Sequence, residues 1–170
     1  KQSDGAGFSS HHGIKVYGNS HGFVKGYAGS RHSLSCVLIG EQDGEMQRDY
    51  GYSSCRAIHD LWTPERIAEE AVERTVSRLG ARKIGTATLP VLFNADTASG
   101  LFGHLVSAIG GGNLYRKSSF LLDSLGQQIF PDWLRIDEQA LLPCGLASAP
   151  FDAEGVRTRD QAIIDAGRLQ

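Results

Sequence analysis

The sequence predicts an α+β protein: an antiparallel β meander plus an amphipathic helix, followed by the start of a second, mixed α/β domain. Three observations carry this expectation. Short alternating apolar and polar runs, separated by glycine-rich punctuation, fill Gly13 to Tyr52. One helical apolar period with both end signals lies between Thr63 and Gly80. A second apolar helix, about Asp96 to Ile109, follows a β-like run interrupted by proline.

The elements follow in order. Gly13-Ile14-Lys15-Val16-Tyr17 and Phe23-Val24-Lys25-Gly26-Tyr27 alternate, as half-buried strands do. Gly18 to Gly22 is a turn candidate between them. Ser33 to Ile39 starts alternating and becomes continuously apolar, as a more buried strand would. Asp43-Gly44 supplies a hairpin signal before a further strand, Met46 to Ser53. Thr63 is placed to cap a helix over residues 64–79, with Pro64 at its first position and Glu65 in its first turn. Ile67, Ala71, Val72, Thr75, Val76 and Leu79 share one face, and Glu69, Glu70, Glu73 and Arg74 occupy the other. Gly80 is placed to stop it.

Thr86 to Phe93 is rich in β-branched and apolar residues, and Pro90 restricts it to an edge or bulged strand. Asn94 or Asp96 is suited to cap the next helix, and Gly110 to Gly112 are expected to end it and begin a flexible loop. Beyond Phe120 the chain is loop-rich, with short apolar pieces at Gln128–Phe130, Trp133–Ile136 and Gly155–Arg157. Gln161 to Gln170 reads as strand, turn, strand, the second cut short. Composition shifts between Gly80 and Thr86. This suggests two domains: residues 1–83, the end of a β-rich domain with the helix 64–79, and residues 84–170, the beginning of a C-terminal domain containing the helix 96–109. The missing initiator Met and the short final strand lead us to expect an internal piece of a longer protein.

Composition narrows the function. The chain has 170 residues, 41% hydrophobic, with a formal net charge of -2 and charges of both signs throughout. That content suits a globular domain. No Lys/Arg run forms the basic footprint that a nucleic acid backbone requires, so direct nucleic-acid binding is disfavoured. No apolar stretch is long enough to span a bilayer, and no membrane partner is expected. Cys36, Cys55 and Cys144 are far apart and lack ligand spacing. They read as reduced, packed thiols, and their roles stay open.

The chemistry centres on Asn94 to Phe120. A zinc-peptidase helix carries two His on one face and a Glu beside the first to activate water. Here His104 stands alone, with Leu105 where the Glu is needed and Ala108 and Ile109 where a second His would complete the pair. A lone His on an apolar helix is expected to be packed and hydrogen-bonded. The Gly110–Asn113 turn follows a helix, whereas phosphate-cradling loops precede one, so it reads as a helix stop and substrate-side turn. Arg116 and Lys117 offer cations for a carboxylate. His11, His12, His21, His32 and His59 are scattered, and His11 and His12 would face opposite sides of a strand. No GxSxG element is present. The residues alone describe no self-sufficient active site.

Four segments together resemble the TldD/PmbA family, and within it the PmbA (TldE) branch. They are NSHGFVKGYAGSRHSLSCVLI (19–39), AVERTVSRLGARKIGTATLPVLF (71–93), TASGLFGHLVSAIGGGNLYRKSSFL (97–121) and LGQQIFPDWLRIDEQALLPCGLASAPFDAEGVRTRD (125–160). The resemblance covers nearly the whole chain, at the centre of longer family members. TldD-branch members carry HExxxH on the corresponding helix, where the two His bind metal and the Glu serves hydrolysis. His104 falls on the first His, Leu105 on the Glu and Ile109 on the second His. Neither replacement ligates zinc or moves a proton. The resemblance therefore implies no catalytic residue, no metal ligand and no cofactor in this chain, with zinc in a TldD-type partner subunit. It implies a non-catalytic subunit of a cytoplasmic metalloprotease complex, a hydrolase acting on extended or unfolded peptides. Microcin-type precursor processing and antitoxin turnover are the associated roles. It also leaves open a homo-oligomer of the isolated chain and, as an alternative, a modulator of DNA gyrase with no proteolytic role.

Overall fold

The computed structural model describes residues 2–170 and divides into two compact units. One holds the chain up to Ile84 together with Gln139–Arg159, and the other holds Gly85–Glu138 and Asp160–Gln170. The excursion at Gln139–Arg159 thus belongs with the first unit, which no linear division of the sequence expresses. Lys1, which opens the expected first domain, lies outside the described residues.

The first unit is an antiparallel meander in the order β1 (Gln2–Gly18), β2 (Val24–Gln42) and β3 (Glu45–Cys55). The strands are longer than their alternating runs. The runs at 23–27 and 33–39 belong to one continuous strand, because Gly29 sits directly opposite Gly13 in the ladder and makes no turn. Asp43 and Gly44, both with positive φ, make the tight β2–β3 turn.

The helix α1 (Pro64–Ser77) packs on β2 and β3. The Thr63 hydroxyl accepts the Arg66 amide proton at 3.3 Å, and Pro64 occupies the first turn, where no N–H is needed. Ile67, Ala71 and Thr75, spaced four apart, are at most 1% exposed and form the ridge facing the sheet. The Thr75 hydroxyl donates to the Ala71 carbonyl at 2.7 Å, so its burial leaves no polar group unmet. Val76, placed on the apolar face by its period, remains exposed, so that face is narrower than the pattern suggests. The helix ends at Ser77, earlier than residue 79, and Gly80 follows with φ of 70°.

An ion pair ties the end of α1 to β3. Burial opposes charge on Asp49, but the Tyr50 amide at 2.8 Å and the Arg78 guanidinium at 3.0 Å outweigh it and hold the carboxyl below its ordinary range. A carboxylate depressed in the folded state stabilises above its unfolded pKa, and that contribution fades as pH falls through the folded value. Asp49→Asn is expected to cost about 1 kcal/mol at pH 7. It should also flatten the loss of stability below about pH 4. Urea unfolding at pH 7 and pH 3 measures both.

The excursion packs on the other face of the β1–β2 ribbon. Phe151, 6% exposed, meets the rings of Phe23 and Tyr27 edge-on at 5.5 and 5.3 Å. Arg56 donates to the carbonyls of Gly145 (2.6 Å), Leu146 (3.0 Å) and Ser148 (3.0 Å). One guanidinium thus satisfies three loop carbonyls.

The second unit contains α2 (Ala95–Ile109), α3 (Gly111–Tyr115) and a small antiparallel sheet of β4 (Ile136–Glu138), β5 (Gln161–Asp165) and β6 (Arg168–Leu169). Its core gathers Leu105, Leu121, Ile164 and Leu169, with Ile129, Phe130 and Ile136 packed around them. Ala166 and Gly167 both take positive φ in the β5–β6 turn, as a tight hairpin requires. The edge strand expected at Thr86–Phe93 is not formed. Pro90 has no N–H to donate, the run finds no ladder partner, and Leu89 and Leu92 are 63% and 97% exposed. The flexible loop expected after Ile109 is likewise replaced, because Gly110 ends α2 and immediately caps α3. No helix among the described residues is long and apolar enough to cross a membrane.

Candidate functional site

The helix α2 is set by its caps. The Asn94 side chain accepts the Thr97 amide proton at 3.0 Å, and the Gly110 amide donates to the Ser107 carbonyl at its far end. Leu105 is 7% exposed and enters the core of the second unit. Ala108 and Ile109, three and four residues on, pack against the same cluster. The two positions that a Glu and a second His would need therefore point into hydrocarbon.

His104 precedes Leu105 and is turned about 100° around the helix axis from it. Its side chain is exposed, so the packed, hydrogen-bonded histidine expected from the sequence is not what α2 presents. The exposed imidazole follows from the helix period: only one side of α2 can face the core, and Leu105, Ala108 and Ile109 occupy it. The donor set does not fit a zinc site, which takes at least three protein ligands. Among the described residues no three His, Cys, Asp or Glu side chains converge to hold a metal ion.

The turn after α2 is held by its own polar groups. Asn113 donates to the Ser107 carbonyl at 2.7 Å, and Arg116 donates to the Asn113 side-chain oxygen at 2.9 Å. Lys117 takes a positive φ of 56°. Arg116 is thus engaged within the turn.

The remaining titratable groups are placed in the first unit. His11 and His12 lie on opposite faces of β1. His32, 4% exposed, shares a 3.0 Å hydrogen bond between its Nδ1 and the Ser10 hydroxyl, and the His12 ring stands edge-on to it at 5.2 Å. The hydroxyl and the buried ring satisfy each other, which is a structural role that strand register alone signals. His59 is an exposed side chain beside Asp60 at 3.7 Å. Cys36 and Cys55 are half-buried, and burial, with Asp60 nearby, pushes the Cys55 thiol up, away from a reactive thiolate. Cys144 departs from the expected packed thiol: it is exposed, on a backbone with φ of 58°.

Comparison with known proteins adds to this geometry. Residues 1–79 match the PmbA/TldA metallopeptidase central domain, and residues 86–170 match the PmbA/TldA metallopeptidase C-terminal domain. The Metalloprotease PmbA of Escherichia coli O157:H7 is 56% identical over 98% of this chain and 37% of its own length. A Metalloprotease PmbA homolog of Haemophilus influenzae is 49% identical over 99% of this chain and again 37% of its own length. The chain thus spans little more than a third of these curated relatives. Among solved structures, a protein from Bacteroides thetaiotaomicron named as a modulator of DNA gyrase superposes with a TM-score of 0.91 at 26% identity, covering 97% of this chain and 38% of that one. TldE from Thermococcus kodakarensis shares the fold, with a TM-score of 0.73 at 20% identity, over 97% of this chain and 37% of its own.

Proposed function

Because this chain belongs to the PmbA/TldA metallopeptidase family, we propose that it is part of a PmbA-type subunit that is catalytically silent alone and works beside a TldD-type subunit carrying the zinc. The observation that carries this reading is the fate of the motif positions. Leu105 and Ile109 are committed to the core of the second unit, and His104 has no companion ligands among the described residues. Neither replacement side chain has an atom able to bind zinc or transfer a proton. The hydrolytic chemistry is then the partner's, in a cytoplasmic complex that cleaves extended or unfolded peptides, with microcin-type precursors and antitoxins as substrate classes.

This chain's share is to shape the peptide path. Extended peptides add to open sheet edges through main-chain hydrogen bonds. Here β1 is an edge strand 17 residues long, ending a three-stranded sheet. The other edge candidate, the run containing Pro90, forms no strand and drops out of this role.

Affinity purification of the full-length protein from its native cell tests the partnership: a TldD-type subunit is expected to co-purify in stoichiometric amount. Recovery of gyrase with no TldD-type subunit would favour a second reading, modulation of gyrase without proteolysis, for which the names of related solved structures speak. Metal analysis addresses a site completed by residues elsewhere in the full-length protein. Equal, negligible zinc in the wild type and in His104→Ala is expected, and stoichiometric zinc lost on that substitution would contradict the proposal.

A further inference from the structure

The first unit carries a cationic groove on the β1–β2 ribbon. In the β1–β2 ladder Gly13 and Gly29 are direct partners, so one rung has no side chains and its floor is bare backbone. Two residues along the ladder, His11 pairs with Arg31 on one side and Lys15 with Tyr27 on the other. Side chains alternate along a strand, so these rungs share one face. The resulting groove of about 270 Å³ is closed on a further side by Arg56 and Leu146.

Both glycines let side-chain tips lean close over the backbone. A Cβ at Gly29 would stand 2.8 Å from Arg56 Nη1, and one at Gly13 would stand 3.0 Å from His11 Nε2. Two of the cations, Arg31 and Arg56, are also held in place by hydrogen bonds. Arg31 Nε donates to the Ser54 hydroxyl at 3.2 Å. Arg56 is fixed by its Nε and Nη2 bonds to loop carbonyls, while its Nη1 lies toward Gly29. Among the described residues no carboxylate ion-pairs with Lys15, Arg31 or Arg56, although the chain has 19 acidic residues. Three unneutralised cations and a histidine around a backbone floor favour an oxyanion.

We propose that this groove binds the carboxylate of an acidic peptide segment, with Lys15 and Arg31 as the recognising cations and Arg56 as a fixed wall. The inference deepens the peptide-handling role proposed above and rests on it. Geometry favours a peptide carboxylate over a free anion. The groove adjoins Ile14 on the edge strand and the apolar Leu146. An extended chain along β1 would present every second side chain to this face. An Asp or Glu there would reach Lys15 while its backbone engaged the strand.

The test is a binding titration rather than a hydrolysis assay, so a failure of the proteolytic reading leaves its result interpretable. Full-length protein is titrated with two fluorescent, C-terminally amidated peptides that differ only in two Glu replaced by Gln. The Glu peptide is expected to bind roughly tenfold tighter at low salt, about fivefold for each ion pair less the screening between them. That preference should fall to about threefold in either Lys15→Gln or Arg31→Gln, vanish in the double variant Lys15→Gln/Arg31→Gln, and reverse in favour of the Gln peptide in Lys15→Glu/Arg31→Glu. The Gln peptide serves as the folding control, because its affinity should be the same in all variants. Equal affinity for the two peptides in the wild-type protein would overturn the proposal. So would inorganic phosphate binding at the groove as tightly as the Glu peptide, which would make it a free-anion site.

Discussion

Leu105→Glu is expected to disrupt the second unit rather than restore half of a catalytic motif. The new carboxylate would sit among the hydrocarbon side chains of Leu121, Ile164 and Leu169. Burying an uncompensated carboxyl, even protonated, and losing the leucine contacts together cost on the order of 4 kcal/mol. His104→Glu, one residue earlier on the exposed side, should change stability by less than about 0.5 kcal/mol. Urea unfolding and limited proteolysis of the two variants measure the contrast. Equal stability would mean that position 105 is open to solvent in the full-length protein, and the argument from packing would fail.

Gly51→Ala is expected to lift α1 from the sheet. An added Cβ would collide with the Ile67 carbonyl and approach the Ala71 amide at 3.0 Å, both backbone atoms of the packed helix ridge. Neither can swing aside as a side-chain tip could, so the helix must move or the strand bend. The expected cost is about 3 kcal/mol. Gly85→Ala is the control, since a Cβ there meets nothing within 4 Å, and its effect should be near zero. Thermal unfolding of the paired variants reads the difference directly. The constraint at Gly51 is close approach of two backbones rather than backbone conformation, because its φ is not positive.

Much of this fold is written in local patterns. The cap, first-turn proline and apolar ridge of α1 lie in adjacent residues, and the structure uses them as the period implies. The β5–β6 hairpin was similarly readable, because its turn residues and flanking strands are contiguous. What the residues do not express locally is tertiary. Gly5 to His12, rich in Gly, Ser and His, has little strand propensity, yet it pairs along its whole length with β2. Conversely, Thr86 to Phe93 has strand composition and no partner. At α2, the loss of the motif could be read from Leu105 and Ile109 alone. Which side of the helix faces the core could not, so exposure of His104 required the structure. The cationic groove was invisible for a different reason. Its members run from His11 to Leu146 in sequence, and ladder register together with the hold of Arg56 on the Gly145–Ser148 carbonyls unites them.

On the proposed reading, this chain's subunit contributes structure and peptide handling while a partner supplies the chemistry. The most direct measurement is hydrolysis of an unstructured peptide by purified full-length protein alone, by a TldD-type subunit alone and by the two together, each with and without a metal chelator. No activity above background is expected from this subunit alone, and robust, chelator-sensitive cleavage is expected from the pair. Robust chelator-sensitive cleavage by this subunit alone would contradict it.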